Sequence, residues 1–314
     1  MDYTLTRAER AFINAAQVSD LAALDADIAI LGAPHGLSYD PANPEDESAN
    51  APRTIREESL RLAPRLRNYD WDFGGDFLAG RDVRFADCGD VTGPRDSYPA
   101  YQRAVTEAVR AIVRRGAVPV VLGGNDAIPI PVLRAYEGEP PFCLVQIDAH
   151  IDWRDEYEGI REGFSSPMRR ASEMPWVRGM AQIGLRGIGS ARQQEVDDAL
   201  AYGSVMIRAE EVHERGVEAA LARIPAAERY FVTFDVDALD PAIAPGVGSK
   251  MFGGLTYFEA TNLLKGVAAR GRIVGCDFVE VVPESDWKNI TSLLMARLAL
   301  NLIGAMAHSG QIGR

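Results

Sequence analysis

The stretch Phe142-Cys143-Leu144-Val145-Gln146-Ile147-Asp148-Ala149-His150-Ile151-Asp152 decides how this chain folds. A short, nearly continuous apolar run closes on an acid. Such a run suits a strand buried on both faces, as in a parallel sheet, rather than the alternation of a half-exposed strand. The pattern recurs in Ile28-Ala29-Ile30-Leu31-Gly32, Val118-Pro119-Val120-Val121-Leu122-Gly123, Tyr230-Phe231-Val232-Thr233-Phe234-Asp235 and Ile273-Val274-Gly275-Cys276-Asp277-Phe278-Val279-Glu280-Val281. Between these runs lie segments with apolar residues at helical spacing: 101–115 before Gly116, 257–270 before Gly271, and 286–307, with Leu293, Leu294, Leu298 and Leu302 on one side. Alternation of strand and helix from about residue 27 onward predicts an α/β fold. No repeat or low-complexity linker divides the chain, so a single domain over 1–314 is expected, with 1–26 as an N-terminal extension carrying some helix. The polar, Pro-rich segment 38–52 reads as a surface loop within the domain.

Composition narrows the function. With 45 acidic and 33 basic residues the 314-residue chain has a formal charge of -12, and the only lysines are Lys250, Lys265 and Lys288. That balance argues against a nucleic-acid partner, which needs clustered Lys and Arg. The N-terminus lacks a basic segment followed by an apolar one, and no run reaches the roughly 18 consecutive apolar residues of a spanning helix. No membrane partner and a cytoplasmic location are expected. Cys88, Cys143 and Cys276 are far apart without a CxxC pair, as expected of buried thiols rather than a disulfide framework or a zinc site.

Two segments carry chemistry. Asp148, His150 and Asp152 share one face of an extended chain, as do Asp235 and Asp237 of Asp235-Val236-Asp237-Ala238-Leu239-Asp240-Pro241. Acids at the tips of apolar strands need partners, because unpaired burial is costly, and open α/β sheets bind ligands at the carboxyl ends of their strands. Converging carboxylates with one imidazole suit divalent ions such as Mn, Ni, Co or Fe. One such motif alone would read as a helix cap or a strand end; two, each after a buried strand, favour a metal site.

From about residue 27 to the C-terminus the chain resembles the ureohydrolase family, the arginases and agmatinases, and especially its agmatinase-like branch. The resemblance rests on Gly123-Gly124-Asn125-Asp126-Ala127 against a GGDHS-type motif, on 148–152 against DAHxD, and on 233–246 against SxDxDxxDPxxAPG. Asp87-Cys88-Gly89-Asp90-Val91, Gly184-Leu185-Arg186, Gly253-Gly254-Leu255-Thr256-Tyr257 and Val279-Glu280-Val281-Val282-Pro283 add support. It implies a three-layer α/β/α fold with a parallel sheet and two divalent metal ions, Mn or Ni. One ion would be held by Asp148, Asp152, Asp235 and the residue at 126, the other by Asp148, His150, Asp235 and Asp237. The family mechanism implied is attack of a metal-bridging hydroxide on a guanidinium carbon, with Asp152 relaying a proton to the leaving amine and Glu280 holding the small cationic guanidino-type substrate. Assembly as a homo- or hetero-oligomer, trimer or hexamer, is likewise implied.

The chain departs from the family at specific positions. Asp126 stands where the first metal-binding His is expected, and Asn125 replaces the acid before it. Phe164, in Gly163-Phe164-Ser165-Ser166-Pro167-Met168-Arg169-Arg170, replaces a proton-shuttling His; it would instead shape an apolar or cation-accepting pocket. The GxRxGPxxIR element (here 47–56) has lost its Gly and first Arg, and 247–252 has lost the usual Thr, Pro and Glu. Of the remaining histidines, His35 follows the first strand and is a candidate to line the site, His213 is expected on a solvated helix face, and His308 lies in the C-terminal tail. These departures turn the expectation away from arginine and agmatine. They point to a hydrolase cleaving a C–N bond of another guanidino or biguanide-type compound. The alternatives are a non-catalytic or regulatory subunit of a hetero-oligomer, such as a biguanide (metformin) hydrolase, and hydrolysis of a different C–N bond such as formimino.

Overall fold

The computed structural model describes residues 3–37, 39, 46–93 and 97–314. Most of the 38–52 loop before residue 46 lies outside the described residues. In chain order the strands are β1 (Thr4–Thr6), β2 (Ala16–Gln17), β3 (Ile28–Ala33), β4 (Tyr69–Asp70), β5 (Gly75–Asp76), β6 (Phe85–Thr92), β7 (Val118–Gly123), β8 (Phe142–Ile147), β9 (Val177–Leu185), β10 (Val205–Arg208), β11 (Arg229–Asp235) and β12 (Arg272–Val279). The helices are α1 (Ala51–Ser59), α2 (Tyr98–Arg114), α3 (Pro129–Arg134), α4 (Pro167–Ser172), α5 (Gln193–Tyr202), α6 (Ala209–Arg215), α7 (Val217–Arg223), α8 (Tyr257–Arg270) and α9 (Ile290–His308).

The five apolar runs all form strands of one sheet, ordered β1-β6-β3-β7-β12-β11-β8-β9-β10, with β2 also on β6 and a small β4-β5 hairpin apart. Every pairing in the main sheet is parallel except β1 on β6. Successive strand residues feed two separate cores. Ile28, Ile30, Val118, Val120, Cys143 and Val145 pack on the side of α1 and α6–α9. Ala29, Leu31, Val121 and Leu144 pack on the side of α2–α5. The result is three layers with both sheet faces covered, which is why the strands read as unbroken apolar runs.

Element ends differ from expectation for local reasons. The helix expected from 101 begins at Tyr98, because Pro99 is tolerated in a first turn whose N–H groups have no intrahelical partner. The helix expected from 286 begins at Ile290. Lys288 and Asn289 take φ of 52° and 57°, and the Asp286 carboxylate stays outside, accepting the N–H groups of Thr291 and Ser292. That helix, α9, is long and apolar enough to cross a membrane, yet most of it is buried against the rest of the chain. Within the segment 1–26, β1 forms the sheet edge and β2 joins β6, with one short 3-10 turn (Phe12–Asn14) between them and a second (Leu21–Ala23) leading to β3.

Candidate metal and active site

Strand order alone assembles the site. β7, β12, β11 and β8 are parallel neighbours, so their carboxyl ends lie side by side. The residues leaving those ends are 124–126, Glu280, 235–237 and 148–152. The exits are laced by backbone bonds: Glu280 N–H donates to the Gly124 carbonyl and Gly124 N–H to that of Ala33. They frame a cavity of about 620 Å³ lined by Asp126, His150, Asp152, Asp235, Asp237 and Glu280, with Phe164, Ile188 and Met251 as apolar wall.

Ligand atoms of Asp148, His150 and Asp237 lie within 4.8 Å of one another, and so do those of Asp126, Asp148 and Asp152. The two triads share Asp148. Asp235 lines the same cavity; its Oδ1 accepts the Asp237 N–H at 2.7 Å. His150 Nδ1 stands 2.9 Å from Asp237 Oδ2 and 3.5 Å from Asp148 Oδ1. Asp126 Oδ2 is buried without a hydrogen-bond partner among the described residues.

The electrostatics are those of closely crowded acids. Burial, and then the charges of neighbouring acids, push the Asp126, Asp152 and Asp235 carboxyls well above the usual range. Asp237 is raised too, by burial and by Asp148. Burial also works against ionised Asp148, but hydrogen bonds and the charge of His150 outweigh it and hold that carboxyl low. For His150, burial is overcome by Asp148 and Asp237, and the imidazole is pushed up to about 12. Divalent cations fit this donor set: carboxylate oxygens plus one imidazole, one of the oxygens orphaned, and repulsion that a cation would relieve.

Two further acids bound the substrate side. Glu280 Oε1 accepts the Asp126 N–H at 2.8 Å. Burial, then the nearby Asp46 charge, lifts its carboxyl to about 8. Both Glu280 (φ 66°) and Asp152 (φ 42°) occupy the left-handed region, a costly backbone state for non-glycine residues. Asp46, which the sequence had hidden in a surface loop, accepts the N–H groups of Gly36, Ser48 and Asn125 at 2.6, 2.9 and 2.9 Å and lines the cavity. Its approach requires Gly124, where a Cβ would stand 2.4 Å from Asp46 Oδ2.

Arg186 was noted only as a motif match. Its guanidinium donates to the carbonyls of Asp237, Ala238, Leu239 and Met251, and so fixes the turn that presents Asp237. Phe164 lines the cavity with its ring 4.5 Å from that of Tyr39. His35 is not brought into the cavity wall. Its ring stands edge-on to Tyr101 at 5.4 Å, and its N–H donates to the Tyr101 hydroxyl. His213 of α6 pairs with Glu259 of α8, and His308 stacks on Phe73, both away from the site.

Known proteins share this architecture. The family model described as "Arginase family" matches residues 26–304. The chain is 36% identical to a guanidinopropionase of Pseudomonas aeruginosa over 236 residues, 72% of this chain and 73% of that protein. It is 29% identical to an agmatinase of Chromobacterium violaceum, covering 91% and 86% of the two chains. The solved structure of proclavaminate amidino hydrolase from Streptomyces clavuligerus superposes with a TM-score of 0.80 at 25% identity, covering 98% of this chain and 99% of that one. With the acids at the strand ends and these matches spanning nearly the whole sequence, the chain belongs to the arginase family.

Proposed function

We propose that the protein is a metal-dependent amidinohydrolase that cleaves a C–N bond of a cationic guanidino or biguanide-type compound. The observation carrying this reading is the pair of ligand triads sharing Asp148, with Glu280 across the same cavity. Asp126, Asp148 and Asp152 would hold one ion and Asp148, His150 and Asp237 the other, with Asp235 beside both. Two such ions, Mn or Ni, would supply Lewis acidity and a water activated as a nucleophile.

The chain's own groups do the rest. Glu280 has one oxygen held by the Asp126 N–H, which leaves the other to accept guanidinium N–H groups. Asp152 would pass a proton from the attacking water to the amine as the C–N bond breaks. The products are an amine and a urea-type carbonyl compound. Phe164, Ile188 and Met251 offer apolar surface to a substituent on the cation. No Lys or Arg is among the described lining residues, while Asp46 and Glu47 are. A guanidino acid would bring its carboxylate to these acids without a cationic partner, so substrates lacking a carboxylate are favoured.

A panel of alkylguanidines, biguanides, agmatine and guanidino acids, assayed with Mn and with Ni, tests the proposal. Turnover of the carboxylate-free cations supports it; turnover confined to guanidino acids contradicts the substrate class. A second reading, a non-catalytic subunit of a hetero-oligomer, rests on Asp126 and Phe164 standing where the family has histidines. It predicts an inactive isolated chain that gains turnover only with a catalytic partner.

A further inference from the structure

We propose that Gln146, oriented by Gln182, is a positioning residue for the carboxylates of Asp148 and Asp152, and that it sets how tightly this part of the site holds a cation. The inference rests on the metal reading above. Gln146 interrupts the apolar run of β8 and is 1% exposed; across the ladder it faces Gln182 of β9, which is fully buried. Two buried amides in a sheet centre are costly unless every polar atom is matched.

Here every one is, and the matching fixes their direction. The Ile151 carbonyl can only accept, so the Gln182 terminal atom 2.7 Å from it is nitrogen. The second hydrogen of that nitrogen points to a Gln146 terminal atom at 2.6 Å, which is therefore oxygen. The Ser204 hydroxyl donates to the Gln182 oxygen at 2.8 Å. The Gln146 nitrogen is left with two hydrogens and two acceptors, Asp148 Oδ2 and Asp152 Oδ2, each at 2.7 Å.

One NH2 group thus ties together the side chains of Asp148 and Asp152, and assigns one oxygen of each to the amide. Asp148 Oδ1 is turned to the other triad, where it accepts the His150 N–H at 2.5 Å. The same relay holds the backbone: Gln182 anchors the Ile151 carbonyl immediately before the left-handed Asp152. Side chain and strained turn are therefore located by one chain of hydrogen bonds.

Calorimetric titration of the metal-free protein with Mn²⁺ and with Ni²⁺ tests this, with the melting temperature of the same metal-free samples as the second readout. In Gln146→Met, binding of at least one ion should weaken about 10- to 100-fold, the usual effect of removing a partner of a metal-bound carboxylate. Gln182→Met, which leaves Gln146 in place but frees its amide, should weaken it less, and it serves if Gln146→Met does not fold. Asn301→Leu, another buried amide deleted away from the site, should lower the melting temperature without changing metal affinity. Wild-type affinity in both glutamine variants overturns the relay alone. A wild-type protein that binds neither ion overturns the metal reading and the relay with it.

Discussion

The peptide N–H of Asp126 donates to Glu280 Oε1 at 2.8 Å. This bond ties a proposed metal-binding residue to the carboxylate proposed to hold substrate. It also explains how Glu280 keeps one oxygen fixed and one available. Glu280→Gln keeps the shape and removes the charge. Its KM for a cationic substrate should rise about 10- to 100-fold, the value of a charged hydrogen bond of about 1.5–3 kcal/mol, while metal content stays at two ions per chain. An unchanged KM would remove Glu280 from the substrate site.

Phe164 is 39% exposed at the cavity wall. Phe164→Ala should raise KM for alkylated cations about two- to five-fold, as expected for losing a cation–π contact of about 0.5–1 kcal/mol at a partly open site. Metal affinity should not move. A collapse of kcat with KM intact would instead give Phe164 a role in the chemical step.

Much of this site is legible in the sequence. The apolar runs announce buried strands, and acids spaced two apart at their ends announce a shared face. What the sequence hides depends on contacts between distant segments. Asp46 reaches the cavity where Gly124 leaves room for its carboxylate and the Gly36 N–H donates to it, and nothing in 38–52 signals that. Gln146 looks like a blemish in an apolar strand until Gln182 is seen beside it. His35, adjacent in sequence to a strand end, packs edge-on against Tyr101. The substitutions at 126 and 164 are visible in the sequence, but their surroundings are not.

Arg56 is buried on α1, with Nε 2.8 Å from Asp87 Oδ2, Nη1 2.5 Å from Asp90 Oδ1 and Nη2 on the Gly89 carbonyl. Arg56→Ala leaves Asp87, itself fully buried, without its counter-charge. A loss of about 3–5 kcal/mol in chemical denaturation is expected. Arg56→Lys should restore little, since one ammonium cannot replace the fork. A loss below about 1 kcal/mol in the alanine variant, the level of an exposed ion pair, would contradict this account.

Asp277 in β12 is fully buried beside the Thr233 hydroxyl. Burial lifts its carboxyl to about 7, the neighbouring Thr233 hydroxyl pulling the other way by less. The unfolded chain releases this proton near pH 4, the folded one near 7. The folded state therefore binds more protons across that window, and this group's contribution to stability falls as pH rises through it. Asp277→Asn should match wild type at pH 5 and exceed it at pH 8 by about 1–3 kcal/mol. An equal difference at both pH values would show that Asp277 does not titrate in this range.

Asp148 is the only side chain common to both triads, and its isosteric replacement tests the account most directly. Calorimetric titration of metal-free wild-type protein with Mn²⁺ or Ni²⁺ should show two ions bound per chain. In Asp148→Asn binding of both should be lost or severely weakened, and turnover with it. Wild-type stoichiometry, affinity and turnover in Asp148→Asn would contradict the proposed metal centre.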